Sequence, residues 1–373
     1  MPDQPYSERT LPQVVQRAAV EYGSRVAITD GAVCLSYAEL DAARVRAARA
    51  FLARGLEKGE RIAIWAPNIH QWILAAIGAQ SVGGVVVPLN TRMKGSEAAY
   101  ILNASGAALL FTVSDFLGVN YPELLHEQDL PALRGTVMLE GRGAGCSNWE
   151  DFLAEGEAVP VEQVEARTAA LSPADTLDIL FTSGTTGKPK GVVTTHGQNI
   201  RVFEAWSATV GLCADDNYLI INPFFHSFGY KAGWLASIIR GAHMLPVKTF
   251  DLDAVLAQIA RDQVSMIPGP PTIYQSLLAH PRRGEYDLSS LRLAVTGAAP
   301  VPVSLVEQMR AELGFEVVVT AYGLTETCGV VSICRPAHSA ERISHSSGRA
   351  MAGVEMKCVD SRGREVPAGT EGE

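Results

Sequence analysis

Apolar residues recur along the chain in two alternating rhythms. Between Leu35 and Leu56, the positions Leu40, Ala43, Ala47, Ala50 and Phe51 fall at helical spacing, and Gly55 closes the run. A short apolar stretch, Ile62 to Trp65, then predicts a strand that Pro67 ends. Residues 70–84 predict a helix, residues 85–90 a strand, and residues 98–112 a helix to Ser105 followed by a strand at Ala108 to Phe111. Strand and helix therefore alternate, the pattern of an α/β fold with parallel strands covered by helices. Residues 112–170 are less regular and carry acidic residues and Gly/Pro punctuation, so a boundary is expected near Leu171-Ser172-Pro173.

The alternation resumes beyond that point. Leu177 to Phe181 predicts a short buried strand, Asn199 to Thr209 a helix, and residues 217–223 a strand. Residues 252–269, 290–300 and 316–323 continue the alternation, with a helix at Ser304 to Leu313. Residues 347–373 are Gly-rich and β-like. The expected division is a first α/β unit at 1–170, a second at 171–335, and the start of a β-rich unit at 336–373. No solenoid repeat is visible.

Composition narrows the class. The chain has 373 residues, 47% hydrophobic and 19% charged, which is globular rather than disordered. Its net charge of -9 and lack of a basic block argue against nucleic acid as a partner. The longest apolar run, Ile73 to Leu89, is interrupted by Gln80 and Ser81 and reads as buried helix plus strand, not a membrane span. The first residues carry no basic-then-apolar leader pattern. Six scattered cysteines without a C-x-x-C read as reduced thiols of a cytoplasmic protein. A monomer and a homodimer both remain open.

The chemistry concentrates at strand ends. "TSGTTGKPKG", Thr182 to Gly191, follows an apolar strand. Gly184 and Gly187 permit close backbone approach to a ligand, and consecutive N–H groups there form an anion-binding concavity. The hydroxyls of Thr182, Ser183, Thr185 and Thr186 add donors, and Lys188 and Lys190 add charge. Donors plus cations without a carboxylate describe a polyphosphate cradle. A Walker loop is disfavoured, because only two residues separate Gly184 from Gly187 and Pro189 follows Lys188. "AYGLTET", Ala321 to Thr327, also follows a strand. Tyr322 suits stacking on a purine, Thr325 donation to a phosphate, and Glu326 a magnesium ion shared with phosphates.

The loop at Thr182 to Gly191 resembles the phosphate loop of the adenylate-forming enzymes, which include acyl-CoA synthetases and the adenylation domains of peptide synthetases. The segment Ala321 to Thr327 is similar to that family's adenine- and magnesium-binding motif. The resemblance implies two α/β subdomains with parallel sheets packed together and a small β-barrel-like subdomain. It implies ATP, Mg2+ and coenzyme A as partners of a carboxylic acid, with Thr186, Lys188, His226 and Glu326 as catalytic residues. Thr186 and Glu326 would hold the metal. Gly297, Ala298 and Ala299 of "TGAAP" would face Tyr322 and Gly323 across the adenine. In "NPFFHSFGYKAG", Asn222 to Gly233, His226 would lie between nucleotide and acyl pocket, and Phe225, Phe228, Gly229 and Tyr230 would line that pocket with Pro268.

Peptide-synthetase adenylation domains carry an aspartate in that motif for the substrate ammonium. Here no acid occurs from Asn222 to Gly233, so an amino-acid substrate is disfavoured. Lys231 is expected on the solvent side or in a structural role, or else against a polar group of the substrate. The run of motifs is similar to the bacterial branch that activates propanoate side chains left by steroid-ring breakdown. Family members continue past the point where this chain stops. The resemblance therefore implies the large N-terminal domain alone, binding better than it turns over. Alternatives are an acyl-AMP ligase serving a carrier protein, a non-catalytic acyl- or nucleotide-binding unit, and a luciferase-like monooxygenase.

Overall fold

A computed structural model describes residues 9–182 and 187–373. Its strands, in chain order, are β1 (Val26–Asp30), β2 (Val33–Ser36), β3 (Arg61–Trp65), β4 (Val85–Pro88), β5 (Leu109–Val113), β6 (Gly135–Glu140), β7 (Ser147–Asn148) and β8 (Thr176–Thr182). They continue with β9 (Lys190–Thr195), β10 (Asn217–Ile220), β11 (His243–Pro246), β12 (Leu293–Thr296), β13 (Val317–Tyr322), β14 (Ser332–Ile333) and β15 (Arg349–Ala350). Seven of them form one sheet in the order β7-β6-β5-β3-β4-β8-β9. Every neighbouring pair in it is parallel except β8 and β9, which form an antiparallel hairpin. The apolar runs Ile62 to Trp65 in β3 and Val85–Pro88 in β4 are what parallel strands covered on both faces require.

The second layer of strands joins β2-β1-β11-β10 to β12-β13-β14-β15. Met266 links the two sets, bridging Tyr218 of β10 and Leu293 of β12. The expected cut at 170/171 is not where the sheets divide. β8 and β9 lie beyond it yet complete the first sheet, while β1 and β2 lie before it yet pair with β11. The irregular stretch is thus an excursion between strands of one sheet. Residues 336–373 contribute β15, a short helix at Ala340–Ser344 and an isolated bridge from Val359 to Glu365. A closed barrel is not formed among the described residues.

Local chemistry fixes the helices that cover the sheets. Ser36 caps the helix Tyr37–Ala53: its hydroxyl accepts from the Glu39 amide, and the Glu39 carboxylate accepts from the Ser36 amide. That helix packs on His70–Ser81 at a close crossing, where a Cβ at Gly78 would lie 2.5 Å from the Ala47 methyl. No helix among the described residues is long and apolar enough to cross a membrane.

His196 ties the chain start to the second half of the fold. It is buried at the first turn of the helix His196–Val210, and its Nδ1 accepts from the Leu11 amide at 3.0 Å. Burial holds its pKa at about 4, below the ordinary 6.5, so the ring is neutral and able to accept. A depressed histidine pKa stabilises the fold above pH 6.5, and that stability is lost as pH falls toward 4. Across this window the group should withdraw up to about 3 kcal/mol. Urea unfolding at stepped pH checks this, with His196→Gln showing a flatter slope between pH 6.5 and 4 than the parent.

Candidate active site

Three chain segments meet at the carboxyl ends of β10, β12 and β13 and line a cavity of about 430 Å³, within the range of small-molecule sites. Its walls are His226, Ser227 and Phe228 after β10, Val295 to Ala298 at β12, and Ala321 to Glu326 at β13. Phe203 and Trp206 of the helix His196–Val210 close it, with Ala232, Gly329 and Val330.

The wall formed by β12 and β13 is shaped by backbone crowding. Gly323 has no room for a side chain, since a Cβ there would lie 2.1 Å from the Gly329 carbonyl oxygen. A Cβ on Gly297 would lie 3.0 Å from the Ala321 carbonyl oxygen. Ala298 adopts a positive φ of 63°, which turns the chain away just past β12. Ala299 borders a neighbouring shallow cavity that shares Gly297, Ala298 and Tyr322 with the main one. Tyr322 is 45% exposed, so its ring face is available for stacking. Gly297, Ala298, Tyr322, Gly323, Thr325 and Glu326 therefore lie together.

The hairpin β8–β9 meets this wall from the other side. The Thr182 hydroxyl donates to Glu326 Oε1 at 3.4 Å, linking the end of β8 to the turn after β13. Gly187, Lys188 and Lys190 are exposed beside it, and the Lys188 ammonium lies 5.9 Å from the Tyr100 ring centre. Ser183, Gly184, Thr185 and Thr186 lie outside the described residues. The loop does follow the carboxyl end of a parallel strand, since β8 pairs in parallel with β4. It also joins two antiparallel strands, and β9, unforeseen in the sequence, carries the chain back.

The turn after β10 is held by Asn68. Its side-chain amide donates to the carbonyls of Ile220 and Asn222, and its oxygen accepts from the Phe224 amide. Asn222 in turn donates to the Pro268 carbonyl at 2.8 Å. His226 is thereby presented to the cavity. Its Nδ1 accepts from the Phe228 amide at 3.2 Å, which leaves the proton on Nε2. Surrounding protein withholds water and lowers its pKa below the ordinary value, favouring the neutral ring.

Ser227, Phe228 and Ala232 of that motif also line the cavity, but the other residues expected at the acyl pocket do not. Phe225 points into a second, larger cavity of about 850 Å³ that also holds Arg92, Lys94 and Lys248. Gly229 is buried, and a Cβ there would lie 2.1 Å from the Asn222 carbonyl oxygen. Pro268 is buried as the acceptor for Asn222. Tyr230 is fully buried, stacked on Trp234 at 4.7 Å and hydrogen-bonded to Gln80. Lys231, expected at solvent, in a structural role or at the substrate, is fully buried in an ion pair with Asp178. A π-helical turn at Tyr230–Leu235 is the physical reason, since all six of its residues point into protein. The sequence also did not mark Phe203 and Trp206 as cavity wall. Their i, i+3 spacing puts both on one helix face, the one signal that was present.

Among the described residues no group of three or more His, Cys, Asp or Glu side chains converges to hold a metal. Glu326 offers one exposed carboxylate beside the hairpin, which fits a magnesium ion that takes most of its oxygens from phosphates and water.

The fold and cavity are those of an adenylate-forming enzyme: over residues 15–373 the sequence matches the AMP-binding enzyme family, and the chain belongs to it. It is 43% identical over 373 residues to a 3-[(3aS,4S,7aS)-7a-methyl-1,5-dioxo-octahydro-1H-inden-4-yl]propanoyl:CoA ligase of Rhodococcus jostii, covering 96% of this chain and 72% of that one. It is 45% identical over 352 residues to the Mycobacterium tuberculosis ligase of the same name, covering 94% and 69%. The solved N-terminal domain of FACL13 from Mycobacterium tuberculosis superimposes with a TM-score of 0.82 at 26% identity, over 96% of this chain and 86% of that chain.

The crowding at Gly323 makes a direct prediction. Gly323→Ala forces the Gly329 backbone to move and should destabilise the chain by about 1–3 kcal/mol. Urea unfolding measures that loss. Titration with AMP should show weakened binding in the same variant.

Proposed function

We propose that this chain activates a bulky carboxylic acid with ATP, as acyl-AMP, for transfer to coenzyme A. The observation that carries this reading is the cavity that brings Tyr322, Gly297, Ala298, His226 and Glu326 together, with Glu326 in turn contacted by Thr182 of β8. A carboxylate oxygen attacks the α-phosphorus of ATP, an O–P bond forms, and the bond to pyrophosphate breaks. The thiolate sulfur then bonds to the acyl carbon and AMP leaves with the bonding electron pair.

The residues divide these tasks. Tyr322 stacks on adenine against the backbone of Gly297, Ala298 and Ala299, with Gly323 leaving room at the turn. Thr325, Thr182, Lys188 and Lys190 bind phosphate oxygens together with Ser183, Gly184, Thr185, Thr186 and Gly187 of the same loop. Preorganised donors of this kind stabilise charge that develops in transfer. Glu326, with Thr186, would hold magnesium, which when bound neutralises phosphate charge. Neutral His226 donates from Nε2 toward the substrate carboxylate and shapes the passage beside it. Phe228, Phe203, Trp206, Val295, Ala232 and Val330 supply an apolar wall for the acyl group.

The acid we favour is a propanoate on a bicyclic, steroid-derived ring system. Two relatives above 40% identity carry that substrate in their names, and Phe203, Trp206 and Phe228 give the cavity wall aromatic surface. The larger cavity, with Phe225 on its wall and Arg92, Lys94 and Lys248 around it, suits the phosphates of coenzyme A. Phe225 and His226 are adjacent in sequence yet face different cavities, so this turn would separate thiol from adenylate.

Melting curves with a panel of non-hydrolysable acyl-sulfamoyl-adenosines test the reading. Ligand at about a thousand times its dissociation constant should stabilise the chain by roughly 4 kcal/mol. The bicyclic propanoyl analogue should give the largest shift, ahead of acetyl, long-chain and aryl analogues. A folded protein that shifts with none of them would refute the adenylate site. Preference for a long linear acyl group would refute the choice of acid alone.

A further inference from the structure

The buried ion pair between Lys231 and Asp178 sits where the two halves of the site join. Lys231 Nζ donates to Asp178 Oδ1 at 3.2 Å and to Thr194 Oγ1 at 3.1 Å. The Thr194 hydroxyl donates onward to Asp178 at 2.6 Å and accepts from Asn199 at 2.9 Å. Lys231 and Asp178 are both fully buried, and Thr194 and Asn199 nearly so. Asp178 lies on β8 and Thr194 opposite it on β9, in the register that also pairs Thr182 with Lys190. One ammonium therefore grips both arms of the hairpin below its phosphate-facing end.

The same ammonium belongs to the acyl side. Lys231 lies in the π-helical turn that begins just after the His226–Phe228 segment, and its neighbour Ala232 is part of the cavity wall. Its companion Tyr230 is locked by Gln80, which also donates to the Leu177 carbonyl of β8 at 3.3 Å. Two independent contacts thus connect this turn to β8. A flexible lysine stem is a poor choice for filling core volume, and a buried charge demands a fixed partner.

We infer that Lys231 is a positioning residue. Through Asp178 and Thr194 it sets the hairpin that meets the triphosphate in register with the turn that presents His226 and the acyl wall. The inference rests on the adenylate reading of the cavity. It differs from a merely structural role in what it predicts once fold stability is restored.

The test compares magnesium-ATP with AMP as ligands, by calorimetric titration of the chain and three variants. Lys231→Met strands a buried carboxylate and should lower the melting temperature. Lys231→Met with Asp178→Asn removes both charges and should recover it, because neutral replacement of a buried pair is often tolerated. That double variant should still bind ATP at least about tenfold more weakly, since small misplacements of binding groups are costly. AMP lacks the outer phosphates and should keep its affinity. Lys231→Arg retains the charge and should fall between the two. A double variant that folds and binds both nucleotides as the parent does would overturn the inference and leave the pair a packing device. A parent chain that binds neither nucleotide would sink the adenylate reading, and this inference with it.

Hydrogen exchange on the unaltered chain gives a check that needs no variant. ATP should slow exchange at the amides of Tyr230–Leu235 as well as in β8 and β9. Protection confined to the hairpin would count against the coupling.

Discussion

Burying a lysine and an aspartate together restricts this fold more than any apolar contact does. Each ion taken from water costs several kcal/mol after relaxation, and only a close partner offsets it. Asp178 and Lys231 lie on segments 53 residues apart, fully withdrawn from solvent. Neither β8 nor the turn at Tyr230–Leu235 can shift without exposing an unmatched charge. The pair adds little net stability by this accounting. What it adds is a fixed distance between an element of the seven-stranded sheet and the turn that follows β10. The turn that follows β10 carries Ala232 of the cavity wall, so the pair links that wall to β8.

Much of the architecture was legible in the order of hydrophobic and polar residues. Apolar runs in β3 and β4 gave covered strands, and glycines and prolines gave their ends. The motifs at Thr182, Gly297, His226 and Tyr322 could be placed at strand ends for the same reason. Pairing partners were not legible, because a strand's own pattern does not name its neighbour. β9 is mostly exposed at a sheet edge, with Val193 58% accessible, so it lacks a buried-strand pattern. The boundary near residue 171 was read from loop chemistry, yet the sheet continues across it.

The acyl pocket shows a different limit. A helix read at 3.6 residues per turn would bring Tyr230 and Lys231 around to positions that a π-helical turn instead aims into protein. Lysine is also almost never fully buried unless paired, so sequence favours exposure. The partner that reverses this preference, Asp178, is far away in the chain and looks like an interruption of an apolar strand. Sequence showed the polar residue in each case but not that the two meet. Phe203 and Trp206 were hidden for the opposite reason, since aromatic residues on a helix face usually mean core.

This burial also bears on which acids the site can accept. A substrate ammonium in the acyl cavity would need a counter-charge, and the turn from Asn222 to Gly233 has none. Asp178 is near that turn but is already neutralised by Lys231. Glu326 lines the cavity at its hairpin end, where Thr182 contacts it and the phosphates are expected. The remaining wall is Phe203, Trp206, Phe228, Val295 and Val330, which rewards apolar area. On the proposed function, discrimination against amino acids and preference for a bulky hydrocarbon frame would follow from one arrangement. The lysine that braces the hairpin also occupies the acid that a cationic substrate would have needed.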